Sequence, residues 1–132
     1  MDRKIEQFLA QNHLLSLSVL YNGAPYGANC FYVYSDCALI FASSLHSNHI
    51  QGALQNPKVA GTIACCEQDI AKLQGVQFIG ELRQATKEER RIYYQKYPLA
   101  KTIGEPIWAI ELEWIKMTDN TLGFKKKKEW RR

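Results

Sequence analysis

A run of short strand-like stretches, far outnumbering the helical ones, is what most constrains the fold of this chain. His13 to Leu20 (HLLSLSVL) alternates and is rich in apolar residues. Asn22-Gly23 follows, a pair that tolerates φ > 0 at both positions and so predicts a two-residue hairpin. Pro25 to Tyr34 is the returning strand, Ser35-Asp36 turns it, and Cys37 to Ala42 is the third. Lys58 to Glu67, Lys72 to Ala85 and Pro106 to Met117 supply three more. In the last, Ile107, Ala109 and Glu111 take one face and Trp108, Ile110 and Leu112 the other. Gly75 and Gly80 in the fifth predict a bulge, a bend or a ligand pressed against the backbone.

Three helices interrupt these strands. Met1 to Asn12 places Ile5, Phe8 and Leu9 on one face behind an Asp2 cap. A short helix follows Ser47 and closes at Asn56-Pro57. Thr86 and Glu89 form a capping box that starts a charged helix through Tyr97, which stops at Pro98. Six mostly antiparallel strands with so little helix to cover them predict a mainly β fold, a small closed or partly closed barrel. Such a sheet leaves an apolar face open to a second subunit.

With 132 residues, no internal repeat and no long linker, the chain reads as a single domain over residues 1–132. No apolar run approaches the roughly 20 residues a membrane helix needs. The start MDRKIEQFLAQN lacks the apolar core of a secretory signal. The four cysteines have no CxxC spacing, and reduced thiols fit a cytoplasmic location. The net charge of +4 is unevenly spread. Residues 125–132 (KKKKEWRR) carry six positive charges and one negative, a basic tail of +5 that leaves −1 for residues 1–124.

The stretch Phe41 to Pro57 (FASSLHSNHIQGALQNP) carries the chemistry. It leaves an apolar strand and sets Ser43, Ser44, His46, Ser47, Asn48 and His49 around a helix start. Free backbone N–H groups and the positive end of the helix dipole gather there, so the stretch is a natural anion seat for a phosphate. A simpler reading leaves Ser47 as an N-cap and the rest as a solvated loop. His46 and His49 have a spacing that can present two nitrogens to a metal. No cysteine or acidic residue stands at a motif spacing to complete a zinc site, and none is expected.

Three motifs carry a resemblance: Ser47-x-His49-x-x-Gly52-Ala53-x-x-Asn56-Pro57, Gly75-Val76-Gln77-Phe78-x-Gly80, and Ile115 to Phe124 (IKMTDNTLGF). Through them the chain resembles the pyridoxamine 5'-phosphate oxidase-like, FMN-binding split-barrel superfamily, and within it the bacterial YhbP branch. The resemblance implies a six-stranded antiparallel split barrel, a homodimer, and FMN bound between the subunits. Its phosphate side would be Ala42, Ser43, Ser47, Asn48 and His49. The basic residues Lys125 to Lys128 of the tail would also be able to reach that phosphate from the partner chain. Its ring side would be Asn29, Cys30 and Phe31. Many superfamily members carry a lysine where His49 stands and an asparagine where Gly52 stands, which implies weaker, more pH-sensitive flavin binding here.

No Ser-His-Asp order or Cys-His pairing stands out, so no catalytic acid, base or nucleophile is nominated. Redox chemistry, where present, would belong to the flavin, with a small-molecule substrate that the sequence does not name. Tyr93, Tyr94, Tyr97, Trp108 and Trp114 read as core or interface before they read as stacking surfaces. Two other functions compete: a flavin or haem carrier without turnover, and a nucleic-acid module using the tail. Against the last stand a near-neutral body and the lack of any helix-turn-helix, zinc-finger or RNP pattern.

Overall fold

Apolar alternation accounts for most of the architecture in the computed structural model, which describes residues 1–124 and 126–132. A first helix, α1 (Arg3–Gln11), leads into β1 (Leu14–Tyr21), β2 (Ala24–Ser35) and β3 (Ala38–Ala42). Then come α2 (Asn48–Gln55), β4 (Lys58–Ala64) and β5 (Gln74–Gln84). Helices α3 (Lys87–Lys96) and α4 (Pro98–Ile103) precede β6 (Ile107–Asp119) and β7 (Lys127–Arg131). The strands pair antiparallel in the order β3-β2-β1-β4-β5-β6-β7, and a β3–β6 pairing closes the first six into a barrel.

β1 shows how the wall is built. Leu15, Leu17 and Val19 are buried, while Leu14, Ser16, Ser18 and Leu20 face outward. Asn22 and Gly23 both have positive φ, as the predicted hairpin demands. The β2–β3 turn lies one residue later than expected, at Asp36-Cys37, and both residues have positive φ. The Tyr34 hydroxyl is 3.2 Å from the Cys37 N–H and steadies this uncommon geometry for a cysteine. In β5 the bulge falls at Gly80: Ile79 pairs with Trp114 but Gly80 with Leu112, so Glu113 is the extra residue. A Cβ on Gly80 would lie 2.5 Å from the Glu111 carbonyl oxygen, which explains the glycine.

α1 covers part of the core with Ile5, Phe8 and Leu9, and the Tyr32 hydroxyl donates to the Leu9 carbonyl at 2.7 Å. Asp2 accepts from the Lys4 and Ile5 N–H groups and caps the helix as predicted. One expected boundary is too long: β4 stops at Ala64, so Cys65 and Cys66 belong to the loop that follows. α3 ends before Pro98 as expected, and Pro98 opens a further helix in the first turn of α4, where its missing N–H would be unpaired in any case. The basic tail adds an element that the sequence reading did not include, since Lys127–Arg131 is a seventh strand beside Trp114–Thr118 of β6. β3 takes the Ile107–Glu111 part of that strand's length.

Candidate functional site

The barrel opens where β3 leaves β2. β3 pairs with Tyr32 to Ser35 only, so on that edge the first part of β2 has no strand beside it among the described residues. Helix α2 packs against β1 and β2 there. Gly52 allows the approach, since a Cβ on it would lie 2.3 Å from the Leu20 carbonyl oxygen and 3.1 Å from Val19 Cγ2. Ile50 and Ala53 complete the buried face of the helix.

The polar residues of the preceding loop converge on one point. Ser43 Oγ lies 2.7 Å from His49 Nε2 and 3.2 Å from Ser47 Oγ, and Ser47 Oγ is 3.5 Å from the same imidazole nitrogen. Ser47 occupies the N-cap position of α2 but does not cap it. Its hydroxyl donates to the Ser44 carbonyl at 2.8 Å. The first N–H groups of α2 therefore receive no acceptor from their own cap residue. Burial pushes the His49 imidazole below its ordinary value, towards the neutral form. Asn48 Nδ2 stands 3.5 Å from the Tyr26 hydroxyl, so the helix start touches β2.

Two residues outside the expected phosphate and ring sides hold this arrangement; one of them, Trp108, is buried as expected. The Trp108 indole N–H donates to the Ser43 carbonyl at 2.9 Å and fixes the loop from β6. Its partner became visible only with the β3–β6 register, which sets Phe41 opposite Trp108. Tyr26 sits next to the hairpin, and its aromatic character near a turn was the available signal. Arg90 shares a cavity of about 290 Å³ with Leu45 and Trp108, so a guanidinium also approaches the loop.

The candidates on β2 divide by face. Phe31 and Asn29 look outward, with Phe31 59% exposed and 6.2 Å ring to ring from Tyr97. Asn29 Oδ1 accepts from the Ser16 hydroxyl at 2.9 Å. Cys30 points the other way into the core, where burial pushes its thiol up to about 12. Its side chain is therefore unavailable to a ring on the outer face; only its backbone lies along that strand. Tyr93 is buried and donates to the Phe31 carbonyl at 3.2 Å, tying α3 to the strand that carries Phe31. Ala42, half-buried at the end of β3, leads directly into Ser43. Lys125 lies outside the described residues.

Between these strands the outer face carries small side chains. Ser16, Ser18, Gly27, Asn29 and Thr62 line a shallow trough of about 250 Å³, with Leu14 and Phe31 paired at one end of it. The arrangement can seat an anion against helix amides and hydroxyls, and a flat group along β2. Among the described residues no three His, Cys, Asp or Glu side chains gather as a metal ion would require. No helix among them is long and apolar enough to cross a membrane.

No model of a known protein family matches the chain. A UPF0306 protein of Photorhabdus laumondii is 40% identical over 134 residues, covering 97% of this chain and 94% of that one. The chain belongs to the UPF0306 family. Its fold is that of the pyridoxamine 5'-phosphate oxidase-like split barrels. A heme-binding protein from Mycobacterium smegmatis superposes with a TM-score of 0.78 at 15% identity, over 92% of this UPF0306 chain and 54% of the other. An FAD-binding protein from Mesorhizobium loti gives 0.72 at 18% identity, over 89% and 94%. A candidate pyridoxamine 5'-phosphate oxidase from Listeria innocua gives 0.66 at 19%, over 85% and 93%.

Proposed function

We propose that this UPF0306 protein binds FMN, with the phosphate at the start of α2 and the ring along the outer face of β2, in a groove completed by a second copy of the chain. It then serves as a flavin-dependent oxidoreductase acting on a small molecule. The observation that carries this reading is the open helix start. Ser47 stands at the cap position yet turns its hydroxyl to Ser44, leaving the α2 amides for an external acceptor.

The residues present fit a phosphate. Ser43, Asn48 and the α2 amides can donate to it, and His49 can hold a proton against it once a dianion offsets the cost of burial. On the ring side, Asn29 offers an amide and Phe31 an exposed aromatic surface beside the small-residue trough. When bound, a flavin supplies hydride or electron transfer. The chain's own tasks are to orient it, to hydrogen-bond its phosphate and to exclude water with the second subunit. The FAD-binding protein among the similar folds supports this reading.

A heme-binding neighbour with a TM-score of 0.78 favours a second reading, a carrier without turnover. The visible spectrum of the purified protein, followed by FMN titration, tests both readings. FMN is expected to bind in a ratio of one per chain to a dimer and to weaken in His49→Ala. A haem spectrum, or unchanged FMN affinity in that variant, would overturn the assignment.

A further inference from the structure

A second concave region lies at the far end of β6. Ile107, which pairs with Ala42, and Met117 are ten residues apart, roughly 33 Å along an extended strand, so within one protomer this region is separate from the Ser43 cluster. Two adjoining cavities of about 280 and 210 Å³ meet there and share Lys4, Met117 and Asp119. The larger adds Lys126, Lys127 and Lys128 over a floor of Met117 and Leu122. The smaller extends to the amide side chains of Gln7, Gln11 and Gln74.

Four lysines thus line one hollow; Lys128, opposite Met117, shares its face, whereas Lys127, opposite Thr118, turns its ammonium to the other side of the sheet. Two carboxylates oppose them. Asp2 lies 3.5 Å from Lys128 Nζ and is already engaged in capping α1. Asp119, only 6% exposed, accepts from the Thr121 N–H at 3.0 Å and from Gln74 Nε2 at 3.1 Å. Lys127 Nζ donates to Thr118 Oγ1 at 3.2 Å. Among the described residues, Lys4, Lys126 and Lys127 make no ion pair. The ammonium groups of Lys4, Lys126 and Lys128 therefore outnumber the two carboxylates, an excess of positive charge that favours an entering anion.

We propose that this hollow binds a small phosphorylated molecule with two or more phosphoryl charges. Its phosphates sit among Lys4, Lys126 and Lys128, and its uncharged polar body lies toward Gln7 and Gln11. The geometry favours a small molecule over a polynucleotide. The lysines converge on a cavity, whereas a nucleic-acid surface needs cations spaced along a strip of phosphates. Along β7 such a strip is broken by Glu129.

Calorimetric titration of the full chain with inorganic pyrophosphate at low salt, with and without saturating FMN, tests this. Saturable binding is expected, unaffected by FMN and weakened about tenfold or more in Lys4→Gln/Lys126→Gln, as loss of charge-assisted phosphate contacts predicts. Lys126→Gln/Lys128→Gln, which substitutes no residue of α1, should weaken it too. Lys101→Gln on α4 should not, and melting curves check that each variant folds. Absence of saturable binding, wild-type affinity in both double variants, or displacement of pyrophosphate by FMN would overturn the proposal. So would oligonucleotide binding that the double variants abolish and pyrophosphate does not compete. A chain that binds pyrophosphate but never FMN would sink the flavin reading and leave this one standing.

Discussion

Two helices of this protein begin with a hydroxyl residue, and the two beginnings are built differently. At α3 the Thr86 hydroxyl accepts from the Glu89 N–H at 3.2 Å, while the Glu89 carboxylate accepts from the Thr86 N–H at 2.8 Å. Glu89 also holds Arg83 through two hydrogen bonds, at 2.7 and 3.1 Å. That helix start is closed by its own residues. At α2 the hydroxyl of Ser47 turns back to Ser44, and no acidic residue lies in the first turn. One start spends its hydrogen-bonding groups on stability; the other keeps amides, hydroxyls and an imidazole facing a common point. The contrast teaches that a cap residue in sequence marks where a helix begins, and its hydrogen bond decides whether that end is structural or free to bind.

The largest expected effect tests how α2 is mounted. Gly52→Ala puts a methyl against the Leu20 carbonyl oxygen and should cost about 3 kcal/mol in chemical denaturation, with loss of FMN binding. Glu89→Ala should cost about 2 kcal/mol, since both the box and a partly buried ion pair go, yet leave FMN affinity unchanged. A flavin defect in that variant would blur the contrast. The Arg83 guanidinium hydrogen-bonded to Glu89 holds its carboxyl below the ordinary 4.5. Its contribution is therefore present above 4.5 and lost as pH falls through the lowered value, so wild type and Glu89→Gln should converge in acid.

Smaller effects refine the comparison. Thr86→Ala should lose about 1 kcal/mol, and Ser47→Ala less than about 0.5 kcal/mol, because only the first removes a working cap. The smallest concerns His49. Burial lowers its value below 6.5, so the unfolded chain takes up the proton first and stability declines as pH falls through 6.5. His49→Gln should flatten that slope in thermal melts. A phosphate dianion reverses the preference, so FMN affinity should rise as pH drops from about 7.5 toward 6.5 in wild type only.

Much of the barrel was legible because its signals are local. Asn22-Gly23 needs only two residues to state a hairpin, Thr86 and Glu89 only four to state a helix start, and β1 declares its buried face by alternation. What stayed hidden depends on register or on distant partners. Cys37 has no turn propensity, and its positive φ follows from closure of the β2–β3 ladder with help from Tyr34. The resemblance set Cys30 on the ring side with Asn29 and Phe31, and strand parity sends its side chain inward. The charge of KKKKEWRR marked a basic tail and gave no strand signal, whereas pairing with Trp114–Thr118 makes part of it a strand. Trp108 illustrates the same limit, since its hydrogen bond to Ser43 spans 65 positions.

The final strand has a consequence for the life of the protein in a crowded solution. Without β7, the stretch Trp114–Thr118 of β6 would present bare N–H and C=O groups between the apolar side chains of Ile115 and Met117. Such a border is a template onto which other chains can zip. β7 moves the border outward to Lys127, Lys128, Glu129 and Arg131, charges that repel a second strand before it can register. The end of the chain thus acts as a selvedge, finishing a cut margin of the sheet so that it does not fray into fibres.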